Sequence, residues 1–280
     1  MGRFLMIGLL SFALAGCSSR LAYNNLDWLA GWYLDDYVEL TKAQENVFQI
    51  HLDEVLQWHR EEELAQYHRH LQRLKQDVMT QPLSNTQWES HLVDLRNHWT
   101  MIRFQVSLKL VELASELSPD QIEEFFNNLS EKNQRDREEF LDLEASERQE
   151  KMIERVEDAV KDRIGRISSE QQTLVKEFVE SRVETRLEYL AYTADLQGTA
   201  KALFSNVHQA DFSNNLLKVL SEPEQFQDEE YKQKVAHNRK LLIGFLTKLN
   251  QSMNEKQTQY FVNHIDDLME TIDDLQGKEG

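Results

Sequence analysis

Residues 83–113 read LSNTQWESHLVDLRNHWTMIRFQVSLKLVEL, and their spacing decides the fold class. Trp88, Leu92, Leu95, Trp99, Ile102, Val106, Leu110 and Leu113 recur at intervals of three and four. That period winds into one apolar stripe along an α-helix, whereas a half-buried strand would alternate every second residue. The stretch opens just after Pro82 with Ser84, and Gln87 follows three residues later. A cap hydroxyl accepts the amide of the third residue while the Gln side chain returns to the cap's own N–H, so two orphan donors at the helix start are satisfied.

Working outward, the same punctuation recurs at Thr41 and Gln44, Ser118 and Gln121, Ser146 and Gln149, and Ser168 and Gln171, with Asn254 and Gln257 as a looser sixth. Similar stripes run through Leu64, Tyr67, Leu71, Leu74 and Val78, through Val179, Val183, Leu187 and Leu190, and through Phe261, Ile265, Leu268, Ile272 and Leu275. Each stripe needs another helix to cover it. The only prolines are Pro82, Pro119 and Pro223, and no stretch reads as a strand or hairpin. The expected class is therefore all-α, a bundle of long amphipathic helices with room for two halves and no β-sheet. Helices are predicted over 41–79, 84–116, 119–142, 147–165, 169–197, 200–209, 213–221, 224–250 and 254–276. The stretch around Gly198, Asn214, Asn215 and Pro223 carries the weakest pattern. It suggests a main bundle over 41–197, a hinge or short helices over 198–231, and a C-terminal helical hairpin over 232–280.

The N-terminus carries an address. Arg3 precedes an apolar run from Phe4 to Ala15, the layout of a secretory signal peptide over 1–16 and too short for the ~20 residues of a membrane span. Leu14, Ala15, Gly16 and Cys17 resemble the lipobox of bacterial lipoproteins, which implies cleavage before Cys17 and lipid attachment to its sulfur, with palmitate among the acyl groups. Cys17 is the only cysteine, so no disulfide framework forms. Ser18 stands where an Asp commonly marks inner-membrane retention, and the expectation is the periplasmic face of the outer membrane.

Between this anchor and the first cap, residues 17–40 crowd Tyr23, Trp28, Trp32, Tyr33 and Tyr37 together. Two readings stand side by side: Trp28 and Trp32 form the buried face of a short first helix, or the segment lies against a bilayer or partner. Asp35, Asp36 and Glu39 favour the first.

The chain carries 49 acidic against 31 basic residues, a net charge of −18. A field of that sign repels nucleic acid and anionic lipid, and neither is an expected partner. No phosphate loop, nucleophile elbow or His-Glu-x-x-His helix is present. His51, His59, His68, His70, His91 and His98 show no one-turn histidine pair. His59 and Glu63 are four apart and could ligate a metal, but a surface or core role is the simpler reading. Asp266, Asp267, Glu270, Asp273 and Asp274 lack the order of a calcium loop. No catalytic residue, metal or cofactor is expected.

Leu40-Thr-Lys-Ala-Gln44, Leu83-Ser-Asn-Thr-Gln87 and Leu117-Ser-Pro-Asp-Gln121, with Ile167 to Gln171 as a near match, resemble the LTxxQ motif of the Spy/CpxP periplasmic chaperones. That resemblance implies an all-helical protein that binds unfolded clients or senses envelope stress without ATP. The lipobox together with Tyr23-Asn-Asn-Leu-Asp-Trp-Leu29 and an acidic helical body is more similar to an uncharacterised family of proteobacterial outer-membrane lipoproteins. The expected role is a non-enzymatic interaction or scaffold module of the envelope, with a Spy-like chaperone as the alternative. Its partners would be the membrane through the lipid and an unidentified envelope protein, with a homo-oligomer left open.

Overall fold

The computed structural model describes Tyr23 and residues 25–277, and the lipobox residues Leu14, Ala15, Gly16 and Cys17 lie outside them. Among the described residues every regular element is helical, as the periodicity predicts. The elements are α1 (Leu26–Asp35), α2 (Lys42–Trp58), a π-helical turn (His59–Glu63), α3 (Leu64–Thr80), α4 (Asn85–Ala114), α5 (Pro119–Leu141) and α6 (Ala145–Ile164). They continue with α7 (Ser169–Ser181), α8 (Arg186–Phe204), α9 (Phe212–Ser221), a short 3-10 turn (Pro223–Phe226), α10 (Glu229–Gln251) and α11 (Glu255–Leu275). No described helix is long and apolar enough to cross a membrane.

The chain divides into two compact units that interleave along the sequence. The first takes the described residues of Met1–Glu63 with His98–Phe140 and Arg186–Asp228. Its core gathers Val111, Phe126, Ala200, Phe212, Leu216 and Val219. Phe126 meets Phe204 edge-on at 5.7 Å between ring centres, and Phe204 meets Phe212 the same way at 5.2 Å, the arrangement aromatic quadrupoles favour. The second unit takes Leu64–Asn97, Leu141–Thr185 and the described residues of Glu229–Gly280. There α11 packs along α3 and α6, while α7 packs on α6 and α10. One of its cores holds Val160, Ile164, Val175, Val179, Phe245 and Leu249, and the other holds Val78, Leu83, Trp88, Ile243 and Val262.

The stripes from Leu64 to Val78 and from Phe261 to Leu275 face inward along their length. The stripe on α4 does not stay continuous: Leu95 and Leu110 are exposed, while Trp88 and His91 are buried early in the helix and Ser107, Val111 and Leu113 late in it. Its early residues belong to one unit and its late residues to the other, so a single 30-residue helix serves two different inner faces.

The helix predicted over 169–197 breaks after Ser181 and resumes at Arg186, leaving Val183 exposed. No Gly or Pro marks the break. Instead, Asn238 on α10 accepts from the Val183 N–H at 2.9 Å and donates to the Val183 carbonyl at 2.8 Å, replacing bonds a continuing helix would make. Gly198 sits inside α8, and residues 200–219 supply Ala200, Phe212, Leu216 and Val219 to a core. The stretch over 198–231, read as a hinge or short helices, holds the end of α8, α9 and the 3-10 turn, and is part of a packed unit. Residues 232–280, read as a C-terminal helical hairpin, share a unit with 64–97 and 141–185, where α10 packs on α7 and α11 on α3 and α6.

Candidate functional site

The helix-start residues come first, because two corners at a time are built from them. Thr41 and Gln44, Ser84 and Gln87, Ser118 and Gln121, and Ser168 and Gln171 all make the reciprocal cap contacts, and Asn254 with Gln257 makes the same set. Ser146 and Gln149 do not: α6 begins at Ala145 behind Glu144, with no side-chain cap.

Four of these glutamines then pair across space, a link no sequence pattern announced. In the first unit, Gln44 Nε2 donates to Gln121 Oε1 at 3.0 Å and Gln121 Nε2 donates back at 2.8 Å. Gln44 also donates to the Glu116 carbonyl at 2.9 Å, and Gln121 to the Glu39 carbonyl at 2.7 Å. Each accepting carbonyl lies two residues before the partner's cap, in the link that leads into that helix. The second unit repeats the device with Gln171 and Gln257, whose side chains exchange bonds at 3.0 and 2.8 Å. Gln257 reaches the Arg166 carbonyl at 2.9 Å, and Gln171 reaches the hydroxyl of Ser252 at 3.2 Å and its carbonyl at 3.4 Å. One side-chain amide thus serves its own helix start, its twin and the end of a neighbouring helix. Gln87 caps its helix without such a twin; the backbone N–H of Leu83 is held instead by Asn250 Oδ1 at 2.7 Å. These motif residues are consumed by architecture.

Above the first unit's junction lies a space. Leu40 and Leu117, the residues just before the Thr41 and Ser118 caps, line an apolar cavity of about 200 Å³ together with Leu34, Leu110, Phe125, Leu129, Leu196, Ala200 and Leu220. Phe126 and Gln197 are shared between this cavity and a second, larger cleft of about 410 Å³ between α5 and α8. That cleft is polar, walled by Asn127, Ser130, Asn133, Gln134, Arg137 and Lys201. Asn133 donates to Gln197 at 2.6 Å across it, and the Lys201 ammonium lies 5.9 Å from the centre of the Phe126 ring. Arg137 and Lys201 make no ion pair among the described residues, in a chain of net charge −18. Dimensions of this order match small-molecule and side-chain pockets, which run to about 300–1,000 Å³ for whole ligands.

The histidines disperse and regroup. The ring of His59 bonds the Tyr23 hydroxyl at 2.9 Å, and burial drives its pKa down to about 4, so the ring is neutral near neutrality. Glu63, in the π-helical turn, is buried and accepts from His98 at 2.7 Å, so His59 and Glu63 spend their polar atoms on other partners than a shared metal. His51 lies 3.2 Å from Glu112, and His68 lies 3.5 Å from Asp273. His91 goes not to His98 but to His70, at 3.2 Å, with Asp94 close to both. Asp266 of the acidic C-terminal set takes Lys75 at 2.6 Å.

The first aromatic reading is corrected. Trp28 and Trp32 are 65% and 59% exposed, their rings parallel within 9° and 6.4 Å apart, while Tyr23, Tyr37 and Val38 take the buried positions. Trp28 and Trp32, four apart on α1, share one outward side, while Tyr37 and Val38 turn inward in the link that follows α1.

No curated protein and no solved structure matches the chain. A family model does match, over residues 36–232, a span that takes in the Gln44–Gln121 junction, the cleft and all of the cavity's lining but Leu34: the chain belongs to DUF6279, a family of unknown function.

Proposed function

We propose that this is an outer-membrane lipoprotein, held at the periplasmic face through a lipidated Cys17, that works as a non-enzymatic interaction module. The observation carrying this reading is the cavity of about 200 Å³ in the first unit, which shares the lining residues Phe126 and Gln197 with a cleft bearing Arg137 and Lys201. The fitting guest is an apolar side chain, an aromatic or leucine anchor, flanked by acidic groups that meet the two cations. The exposed Trp28–Trp32 stack lies within twenty residues of the anchor and supports a membrane-proximal placement, since indole suits the bilayer interface.

The test is an affinity pull-down with mass spectrometry on the natively lipidated protein, comparing wild type, Cys17→Ala and Ala200→Phe, the last filling the cavity. A stoichiometric envelope partner that survives neither substitution supports the reading. A broad set of unfolded exported proteins, bound equally by Ala200→Phe, would replace it with the chaperone reading. Recovery of Cys17→Ala in the soluble periplasmic fraction, with wild type in the outer membrane, checks the anchor separately.

A further inference from the structure

We infer that His70, His91 and Asp94 form a zinc(II) site in the second unit, joining α3 to α4. His70 comes from α3, and His91 and Asp94 lie three apart on one face of α4. One donor atom from each of the three lies within 4.8 Å of the others. His70 Nε2 and His91 Nδ1 stand 3.2 Å apart on nearly parallel rings, 9° between planes. Two nitrogens bound ~2.0–2.1 Å from one tetrahedral zinc are separated by about 3.4 Å, so the two nitrogens already stand at ligand spacing, and each ring must turn to aim its lone pair at the ion.

The surroundings set the donors in the right protonation state. His91 Nε2 lies 3.0 Å from Asp77 Oδ2, and a carboxylate there fixes the proton on Nε2 and leaves the Nδ1 lone pair facing His70. Such a carboxylate–histidine–metal arrangement orients the ring and raises its basicity. His91 is 6% exposed, and Trp88 stands edge-on to it at 6.3 Å, so one side of the site is dry. Without metal, His70 Nε2–H can donate to His91 Nδ1. Binding moves that proton to His70 Nδ1 through solvent, and the zinc takes both freed lone pairs. Asp94 is the third ligand and water the fourth, the donor set of an open zinc site.

Arg73, one turn along from His70, is the built-in competitor. Its guanidinium is bonded to Asp94. Zinc must displace it, and its positive charge works against a dication at this distance. That gives the site a signature of opposite sign from ordinary damage.

The experiment is zinc titration of the purified full-length protein by calorimetry, with cobalt(II) absorption as a second readout of tetrahedral coordination and circular dichroism to confirm folding. One strong zinc equivalent per chain is expected. His91→Gln and Asp94→Asn should abolish it, Asp77→Asn should weaken it about 10- to 100-fold, and Arg73→Gln should tighten it severalfold. Absence of a strong equivalent in wild type would overturn the inference. So would zinc binding that persists unchanged in folded His91→Gln and Asp94→Asn, which would mark scattered binding to the other histidines and acids.

Discussion

The two units are pinned by the same side-chain device and filled differently. In the second, the residues preceding the paired caps, Ile167 and Met253, pack against a core in which Phe178 and Phe245 stack 4.6 Å apart. In the first, the equivalent Leu40 and Leu117 line a void. The Gln171–Gln257 pair is also the more deeply buried, with Gln171 fully inaccessible, whereas Gln121 is only partly covered. A reciprocal glutamine pair therefore fixes how two helical corners meet without fixing what packs beneath them. Where packing beneath the corner is incomplete, there is room for a guest.

That contrast can be broken in graded steps. Gln171→Met should cost the most, about 3 kcal/mol or more, because it removes a fully buried side chain that bonds Ser168, Ser252 and the buried Gln257 together; a urea denaturation midpoint measures it. Acid should act through His59 in the first unit. Burial holds its pKa at about 4, against 6.5 for the free side chain, with Glu63 opposing and Arg60 reinforcing the shift. Below pH ~6.5 the unfolded chain takes a proton that the folded ring refuses, so stability is full above that value and falls, by up to about 3 kcal/mol, until pH ~4. His59→Gln should flatten that dependence between pH 7 and pH 4.5. Gln121→Met, in the less buried junction, should cost about 1–2 kcal/mol, and a value equal to that of Gln171→Met would erase the distinction drawn between the units. Gln87→Ala, a cap without a twin, should cost about 1 kcal/mol or less, and Ser146→Ala should stay within about 0.5 kcal/mol, since α6 does not use Ser146 as a cap.

Much of this fold was legible in the chain because capping is local. Five of the six Ser, Thr or Asn positions with Gln three residues on do start helices, and the looser Asn254 works like Ser168. Ser146 misled because Glu144 already satisfies the extended cap geometry two residues earlier. What stayed hidden was made by distant residues. The break at 182–185 is imposed by Asn238, the Leu83 corner is held by Asn250, and His70 meets His91 only when α3 and α4 fold back. The His70–His91–Asp94 group shows no one-helix ligand spacing, because its members come from α3 and α4; the signal that does exist is histidines at similar distances on either side of the Pro82 turn. The cavity left no local trace, since its lining is indistinguishable by residue type from a filled core.

The interleaving of the two units governs how the molecule is assembled in time. The first unit has all its residues once Asp228 has been made, but the second draws on Leu64–Asn97 and must wait for α11 near the other terminus. The Lys75–Asp266 pair closes a gap of 191 residues, and contacts that remote carry a loop-closure entropy that slows their formation. During synthesis, α3 and the start of α4 are therefore early-made segments whose apolar partners arrive last. A chain cut at Asp228 should leave the apolar stripe from Leu64 to Val78 uncovered, exposed to proteases and prone to self-association, while keeping every residue of the first unit.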